Sequence, residues 1–287
     1  MADRMDTKAF RIVNLVEDTA GSSGCGSEHG LSFYVETKKH RLLVDSGATG
    51  LFLENARHLG IDLSWVDTVI ISHGHYDHAG GIPVFEKINS RAKIYMKASA
   101  REAYYHLTDR GAKYIGMPAG IGAAPRYIPV EGDLRIDEEL FLFSDIRGRK
   151  YPSKSNQSLK KKQGDCFVQD RFDHEQCLVI AQKEKRILLS GCAHNGILNI
   201  LDRYNEIFGK DPDVVISGFH LVQKAAYTEE EAENIRQLSR ELARRKTLFF
   251  TGHCTGQAAF AIMKEYMGEQ LREMHSGDEL VWQEKDA

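Results

Sequence analysis

The chain has 287 residues, a formal net charge of −3, and 42% hydrophobic and 28% charged side chains. That length can bury a core large enough to fold without disulfide staples. The near-neutral balance supplies no global basic field, which argues against nonspecific nucleic-acid binding as the main task.

From the N-terminus, Met1–Phe10 is polar and lacks the apolar core of a signal peptide. No later run reaches the ~18 apolar residues of a membrane span. Five cysteines (Cys25, Cys166, Cys177, Cys192, Cys254) form no CxxC pair, so a reduced, cytoplasmic setting fits better than a disulfide framework. Apolar runs and alternation predict strands at 10–16, 31–36 and 40–45. Leu51–Leu59 has helical spacing and stops at Gly60. Thr68–Ser72 is a short apolar run of the kind buried on both faces.

A strand at 92–96 and a helix from about Ser99 to Asp109 are expected next. Between Gly111 and Gly164 the pattern weakens to long loops around one hairpin. This predicts a loop-rich insertion at about 110–165 that shapes a substrate pocket. The basic run from Lys154 to Lys162 reads as a solvated loop rather than a phosphate clamp. Strands return at 177–180, 186–190, 213–217 and 247–251, with helices from Gly196 to about Phe208 and after Thr228. The latter opens on Thr228-Glu-Glu-Glu231, a capping-box pattern. A helix and a terminal strand close the chain. Strands followed by interleaved helices, in both halves, predict one α/β domain over 1–287, a four-layer αββα sandwich.

His73, His75, Asp77 and His78 fall within six residues directly after the buried run 68–72. Imidazole and carboxylate donors suit zinc, and also iron or manganese. Alternate positions of a turn point to one side. His73 and His75 can thus serve one cation, and Asp77 and His78 a second. Gly80 and Gly81 follow, where backbone must crowd a site.

His73-x-His75-x-Asp77-His78 resembles the signature of the metallo-β-lactamase superfamily, whose fold is the predicted αββα sandwich. Asp45, at the end of Leu42-Leu-Val-Asp45, resembles the superfamily's earlier aspartate, which supports the metal loop; capping of the following helix is the plainer reading. The resemblance implies that His253 completes the Asp77/His78 position. Glu28–Ser32, His73–Gly81, SGCAHNGI (190–197), SGFHL (217–221) and TGHCTG (251–256) together resemble a subgroup. It includes the 7,8-dihydropterin-6-yl-methyl-4-(β-D-ribofuranosyl)aminobenzene-5′-phosphate synthases of methanopterin biosynthesis. By the superfamily's usual spacing, His174 and Cys192 occupy the remaining ligand positions. The subgroup's SGCAH pattern instead offers His194 as third ligand of the His73/His75 cation, with Cys192 as a bridging or second-site ligand.

His220 and His29 are candidate substrate contacts, each with a packing or hairpin role as the plainer alternative. Cys254 reads as a turn residue. The pattern implies two divalent cations, zinc foremost, with manganese, iron or magnesium as alternatives. Asp77 can also hold a proton in the reaction, and no GxSxG elbow supplies a nucleophile. The expected activity is hydrolysis or group transfer on a small, phosphate-bearing molecule, a dihydropterin pyrophosphate condensation being the subgroup's version. The alternatives are a phosphodiesterase or lactonase-type hydrolase, and a non-catalytic binding module on the same scaffold.

Overall fold

The computed structural model describes residues 10–282. Its first strands are β1 (Phe10–Val16), β2 (Ser32–Glu36), β3 (Arg41–Val44), β4 (Thr68–Ile70) and β5 (Lys93–Lys97). There follow β6 (Tyr104–Thr108), β7 (Gly111–Tyr114), β8 (Tyr127–Val130), β9 (Leu134–Arg135) and β10 (Leu140–Phe143). Next come β11 (Leu159–Gln163), β12 (Cys166–Gln169), β13 (Cys177–Gln182) and β14 (Lys185–Leu189). The last are β15 (Val214–Ile216), β16 (Leu248–Thr251), β17 (Leu271–Glu273) and β18 (Glu279–Trp282). The helices are α1 (Leu51–His58), α2 (Tyr76–Ala79) and α3 (Ile82–Ile88), then α4 (Ile197–Phe208), α5 (Glu229–Ala243) and α6 (Gln257–Met267).

Two seven-stranded sheets form, in the orders β18-β1-β2-β3-β4-β5-β8 and β17-β16-β15-β14-β13-β10-β9. Side-chain alternation then sets the layers. Along β3, Leu42 and Val44 enter an apolar cluster shared with Leu178, Ile180, Ile187 and Leu189 of the second sheet. Leu43, between them, packs with Phe52 of α1 and Phe85 of α3 on the outer face. On the second sheet, Val179 and Leu188 face Leu201 of α4, Leu238 of α5 and Met263 of α6. The result is the expected α/β four-layer αββα sandwich, in which strands buried on both faces are near-continuously apolar. The capping box of α5 forms as read: Thr228 Oγ1 accepts from Glu231 N while the Glu231 carboxylate accepts from Thr228 N. Among the described residues no helix is long and apolar enough to cross a membrane.

Three readings of local structure are corrected. The helix expected from Ser99 to Asp109 is a 3-10 turn, Ala98–Arg101, followed by strand β6. Tyr104-Tyr-His-Leu-Thr108 is rich in β-favouring side chains and folds back on β7 through Thr108↔Gly111, so pairing overrides the helical spacing. The stretch 110–165 holds more than one hairpin. β8, β9 and β10 belong to the two main sheets, while β7 and β11 join a separate four-stranded sheet, β12-β11-β6-β7. The chain also closes on two strands, β17 and β18, rather than one.

Candidate metal centre

The ends of β3, β4, β14, β15 and β16 lie at one edge of the sandwich, each followed by a polar segment. His73, His75, Asp77 and His78 come after β4, Cys192 and His194 after β14, His220 after β15, and His253 after β16. Four residues here, Asp45, Ala193, His220 and His253, take left-handed φ values of +57°, +53°, +48° and +46°. Backbone strain of this kind, about 1–3 kcal/mol each, persists where the surroundings over-determine it, commonly at functional sites. Gly80 and Gly81 allow the loop to close: a Cβ on Gly80 would lie 2.2 Å from Ala48 O, and one on Gly81 2.2 Å from Ser46 O.

Two groups of donors result. His73, His75 and His194 bring one ring nitrogen each within 4.8 Å of one another; Asp77, His78, Cys192 and His253 likewise bring together a carboxylate oxygen, two ring nitrogens and a thiol sulfur. Both groups are buried. The Nε2 atoms of His73, His75 and His194 are buried with no hydrogen-bond partner among the described residues. An unpaired buried polar atom costs about 1–3 kcal/mol, so three converging on one point fit a cation seat. In the second group His253 Nε2 likewise has no hydrogen-bond partner among the described residues, while the other donors approach one another. His78 Nε2 is 3.1 Å from Cys192 Sγ, and Asp77 Oδ2 is 3.4 Å from His253 Nε2 and 3.7 Å from His78 Nε2.

The opposite ring nitrogens are fixed from behind, as outer partners of metal-binding histidines are. Asp45 is the hub. Its Oδ1 accepts from Ser72 N at 2.7 Å, and its Oδ2 accepts from Ser72 Oγ at 2.6 Å and His78 Nδ1 at 2.7 Å. Ser72 Oγ, its hydrogen given to Asp45, accepts from His73 Nδ1 at 2.9 Å. One carboxylate thereby sets a histidine in each group. Asn156 Oδ1 lies 3.1 Å from His194 Nδ1, and Asp18 Oδ1 2.6 Å from His253 Nδ1. The turn carrying His194 is held by buried Glu175, which accepts from His194 N, Asn195 N and Asn195 Nδ2 at 2.6, 3.0 and 2.8 Å.

His174 is differently employed. Its Nδ1 accepts from Gly74 N at 2.9 Å, which leaves Nε2 to donate to Asp170 Oδ2 at 3.1 Å. With both nitrogens engaged it braces the loop, whereas His194 Nε2 is left without a hydrogen-bond partner among the described residues. His220 packs its ring 4.1 Å from that of His194, and neither of its ring nitrogens has a hydrogen-bond partner among the described residues. His29, half exposed, bonds Asp18 Oδ2 through Nδ1 at 2.9 Å and faces Asp77 Oδ2 with Nε2 at 3.5 Å. Cys254 Sγ accepts from His220 N at 3.3 Å, in keeping with a turn role. The residues missed from sequence are Ser72, Asn156, Asp170, Glu175 and Asp18. Asp18 follows Glu17 at the end of β1, a carboxylate pair that local pattern does not distinguish from a surface turn.

Burial, and then the neighbouring imidazoles, holds His75 down at about 3 and pushes His73 and His194 well below the usual histidine range. These rings are neutral at physiological pH, the state a ligand needs. Burial pushes the Cys192 thiol well up. Burial alone would raise Asp77, but His78 and His253 outweigh it and keep the carboxylate ionised.

A family description of the metallo-beta-lactamase superfamily matches residues 26–153. The chain is 30% identical to the 7,8-dihydropterin-6-methyl-4-(beta-D-ribofuranosyl)-aminobenzene-5′-phosphate synthase of Methanocaldococcus jannaschii, over 93% of this chain and 95% of that protein. An uncharacterised protein of the same archaeon is 28% identical over 74% of this chain and 80% of its own length. Among solved structures, a metal-dependent hydrolase of the beta-lactamase superfamily superposes with a TM-score of 0.78 at 30% identity, covering 96% of this chain and 100% of that one. A metallo-beta-lactamase fold protein of Bacillus subtilis, at 13% identity and a TM-score of 0.53, covers 96% of this chain and 100% of its own and shares the fold.

Proposed function

The chain belongs to the metallo-beta-lactamase superfamily, and from that premise we propose that it is an enzyme using two divalent cations on a phosphate-bearing small molecule. His73, His75 and His194 would hold one cation, and Asp77, His78, Cys192 and His253 the other. The carrying observation is the trio of buried, partnerless Nε2 atoms beside a second, anionic donor group. A cysteine among the donors favours zinc over manganese or magnesium. Such a cation pair supplies Lewis acidity toward a phosphoryl or carbonyl oxygen and stabilises a leaving oxyanion.

The chain's own residues do the remainder. Asp77 Oδ2 lies between His253 and His29, so a proton held there can pass to His29, which is open to solvent and oriented by Asp18. His220 offers unpaired ring nitrogens beside His194 and would hold a substrate oxygen. The sheet β12-β11-β6-β7 roofs this side, since Tyr104 packs 4.0 Å from His174 and 5.9 Å from His75, and would shape the pocket. The printed name of the archaeal relative describes an aminobenzene ribofuranosyl phosphate joined to a dihydropterin. That favours group transfer, with an arylamine attacking a pterin methylene and pyrophosphate leaving. Phosphodiester or lactone hydrolysis on the same donors is the alternative.

Elemental analysis of protein purified without chelator or His-tag should give about two equivalents of metal per chain. His75→Ala and His253→Ala should each remove one equivalent, and retention of both metals by both variants would sink the assignment. Cys192→Ser should weaken the second position alone. Condensation of a dihydropterin pyrophosphate with an arylamine ribosyl phosphate, set beside phosphodiester and lactone hydrolysis, then separates transfer from hydrolysis.

A further inference from the structure

Two of the donors already described belong to a third group. Cys192, His194 and His220 bring one ligand atom each within 4.8 Å of one another. His220 alone among all these donors is partly exposed; those of the two inner groups are buried. Its ring packs 4.1 Å from that of His194, and neither of its nitrogens has a hydrogen-bond partner among the described residues. The main chain there is pinned. Cys254 Sγ accepts from His220 N at 3.3 Å, and Ser153 Oγ and Ser155 Oγ both donate to His220 O. Cys254 Sγ in turn donates to Cys192 O at 3.6 Å, which ties the turn of His220 to that of Cys192. The fold thus holds His220 at a left-handed φ of +48° while spending its ring on no internal bond. Buried nitrogens are normally paired. Unpaired ones on two adjacent rings, beside a thiol, fit a cation.

The third group shares one donor with each inner group. His194 also belongs with His73 and His75, and Cys192 with Asp77, His78 and His253. His194 Nδ1 faces Asn156 Oδ1 at 3.1 Å, so Nε2 is the nitrogen it has to offer. One lone pair holds one cation at a time. A cation on the third group therefore excludes one held by His73, His75 and His194, and the position is transient rather than resident. From it a cation can step to either inner group with one donor still attached. Exchanging donors one by one avoids a bare ion in the protein interior, where its desolvation is costly.

We propose that Cys192, His194 and His220 form a loading position through which cations enter and leave the two inner groups. This rests on the reading above that two cations are held there. Zinc suits the position, since thiolate and imidazole are its ligands, and the Cys192 proton leaves to solvent as the sulfur binds. Once the cation has moved inward, His220 is released to meet substrate.

The test is isotope exchange on the zinc-loaded full chain without substrate: radioactive zinc is added and its uptake followed at constant occupancy. His220→Ala should exchange about tenfold more slowly while keeping the zinc content and melting temperature of wild type. His220→Cys, which restores a donor, should recover most of the rate. His29→Ala, which alters the half-exposed ring facing Asp77, should exchange as wild type does. An unchanged or faster rate in His220→Ala at full zinc content would overturn the loading position and leave the two-cation reading standing. Loss of one equivalent in His220→Ala would overturn it as well, because His220 would then be a resident ligand. Slow exchange in His29→Ala with normal exchange in His220→Ala would overturn it by placing the entrance at the other group. A wild type that holds no zinc would overturn both readings together.

Discussion

His40 and His75 sit at opposite ends of the sandwich and meet opposite environments. His40 precedes β3 at the end remote from the metal centre. Its Nδ1 is 3.0 Å from Asp67 and its Nε2 2.5 Å from Asp137, so both nitrogens are satisfied by carboxylates. Those hydrogen bonds, that to Asp67 first, outweigh burial and raise its pKa to about 9. His75 is buried, surrounded by other imidazoles, held at about 3, and its Nε2 has no hydrogen-bond partner among the described residues. One histidine is a charged clamp between the two sheets; the other is a neutral ring whose Nε2 is left without a partner. What separates the two is the unsatisfied nitrogen, a difference that burial alone would not have drawn.

The largest expected effect comes from removing the carboxylate that prepares both donor groups. Asp45→Ala strips His78 of its Nδ1 acceptor and releases Ser72, through which His73 is set. Metal affinity should fall about 10–100-fold at both positions, read by competition with a chromophoric chelator. Buried donors left unpaired should also cost about 2–4 kcal/mol of stability. A loss confined to one equivalent would break the view of Asp45 as a shared hub.

Smaller and more selective effects should follow from the single-position supports. Asn156→Ala removes the partner of His194 Nδ1 and should weaken only the His73/His75/His194 position, about tenfold. Asp18→Ala removes the partner of His253 Nδ1 and should weaken only the other position to a similar extent. Cobalt substitution distinguishes the two, because only the Cys192-containing group can give a thiolate-to-metal absorption band. If either variant disturbs both positions equally, the two groups are one coupled unit and the distinction between them goes.

The candidate metal loop could be picked out because its donors are adjacent: His73 to His78 is a local pattern after an apolar run, and β4 buried on both faces is what positions it. His194 and His253 were legible only through resemblance, since each stands alone after its strand. The supports escaped because their partners are distant in the chain: Asp18 meets His253 across 235 residues, and Asn156 meets His194 across 38. The αββα layers followed from alternation in strands such as β3, whereas β6 was misread. Its Tyr104-Tyr-His-Leu-Thr108 becomes a strand only by pairing with β7 and with β11, fifty residues later. Sequence spacing carries no record of that pairing.

The smallest expected effect belongs to the satisfied end of the comparison. Folded His40 stays protonated to about pH 9, while the unfolded side chain loses its proton near 6.5. Its stabilising contribution is therefore whole below about pH 6.5 and is lost as the pH rises through about 9. The shift would amount to about 3 kcal/mol if fully buried, but His40 is partly open to solvent, and screening reduces this to about 1 kcal/mol. Urea midpoints of wild type and His40→Gln, taken at pH 6 and pH 9.5, isolate that contribution as the difference between the two proteins. Wild type should lead at pH 6 and the gap should close at pH 9.5, with metal content the same in both. A gap that widens with pH would mean that His40 is neutral in the folded chain. It would then resemble the histidines of the metal centre, and the contrast between the two ends would rest on geometry alone.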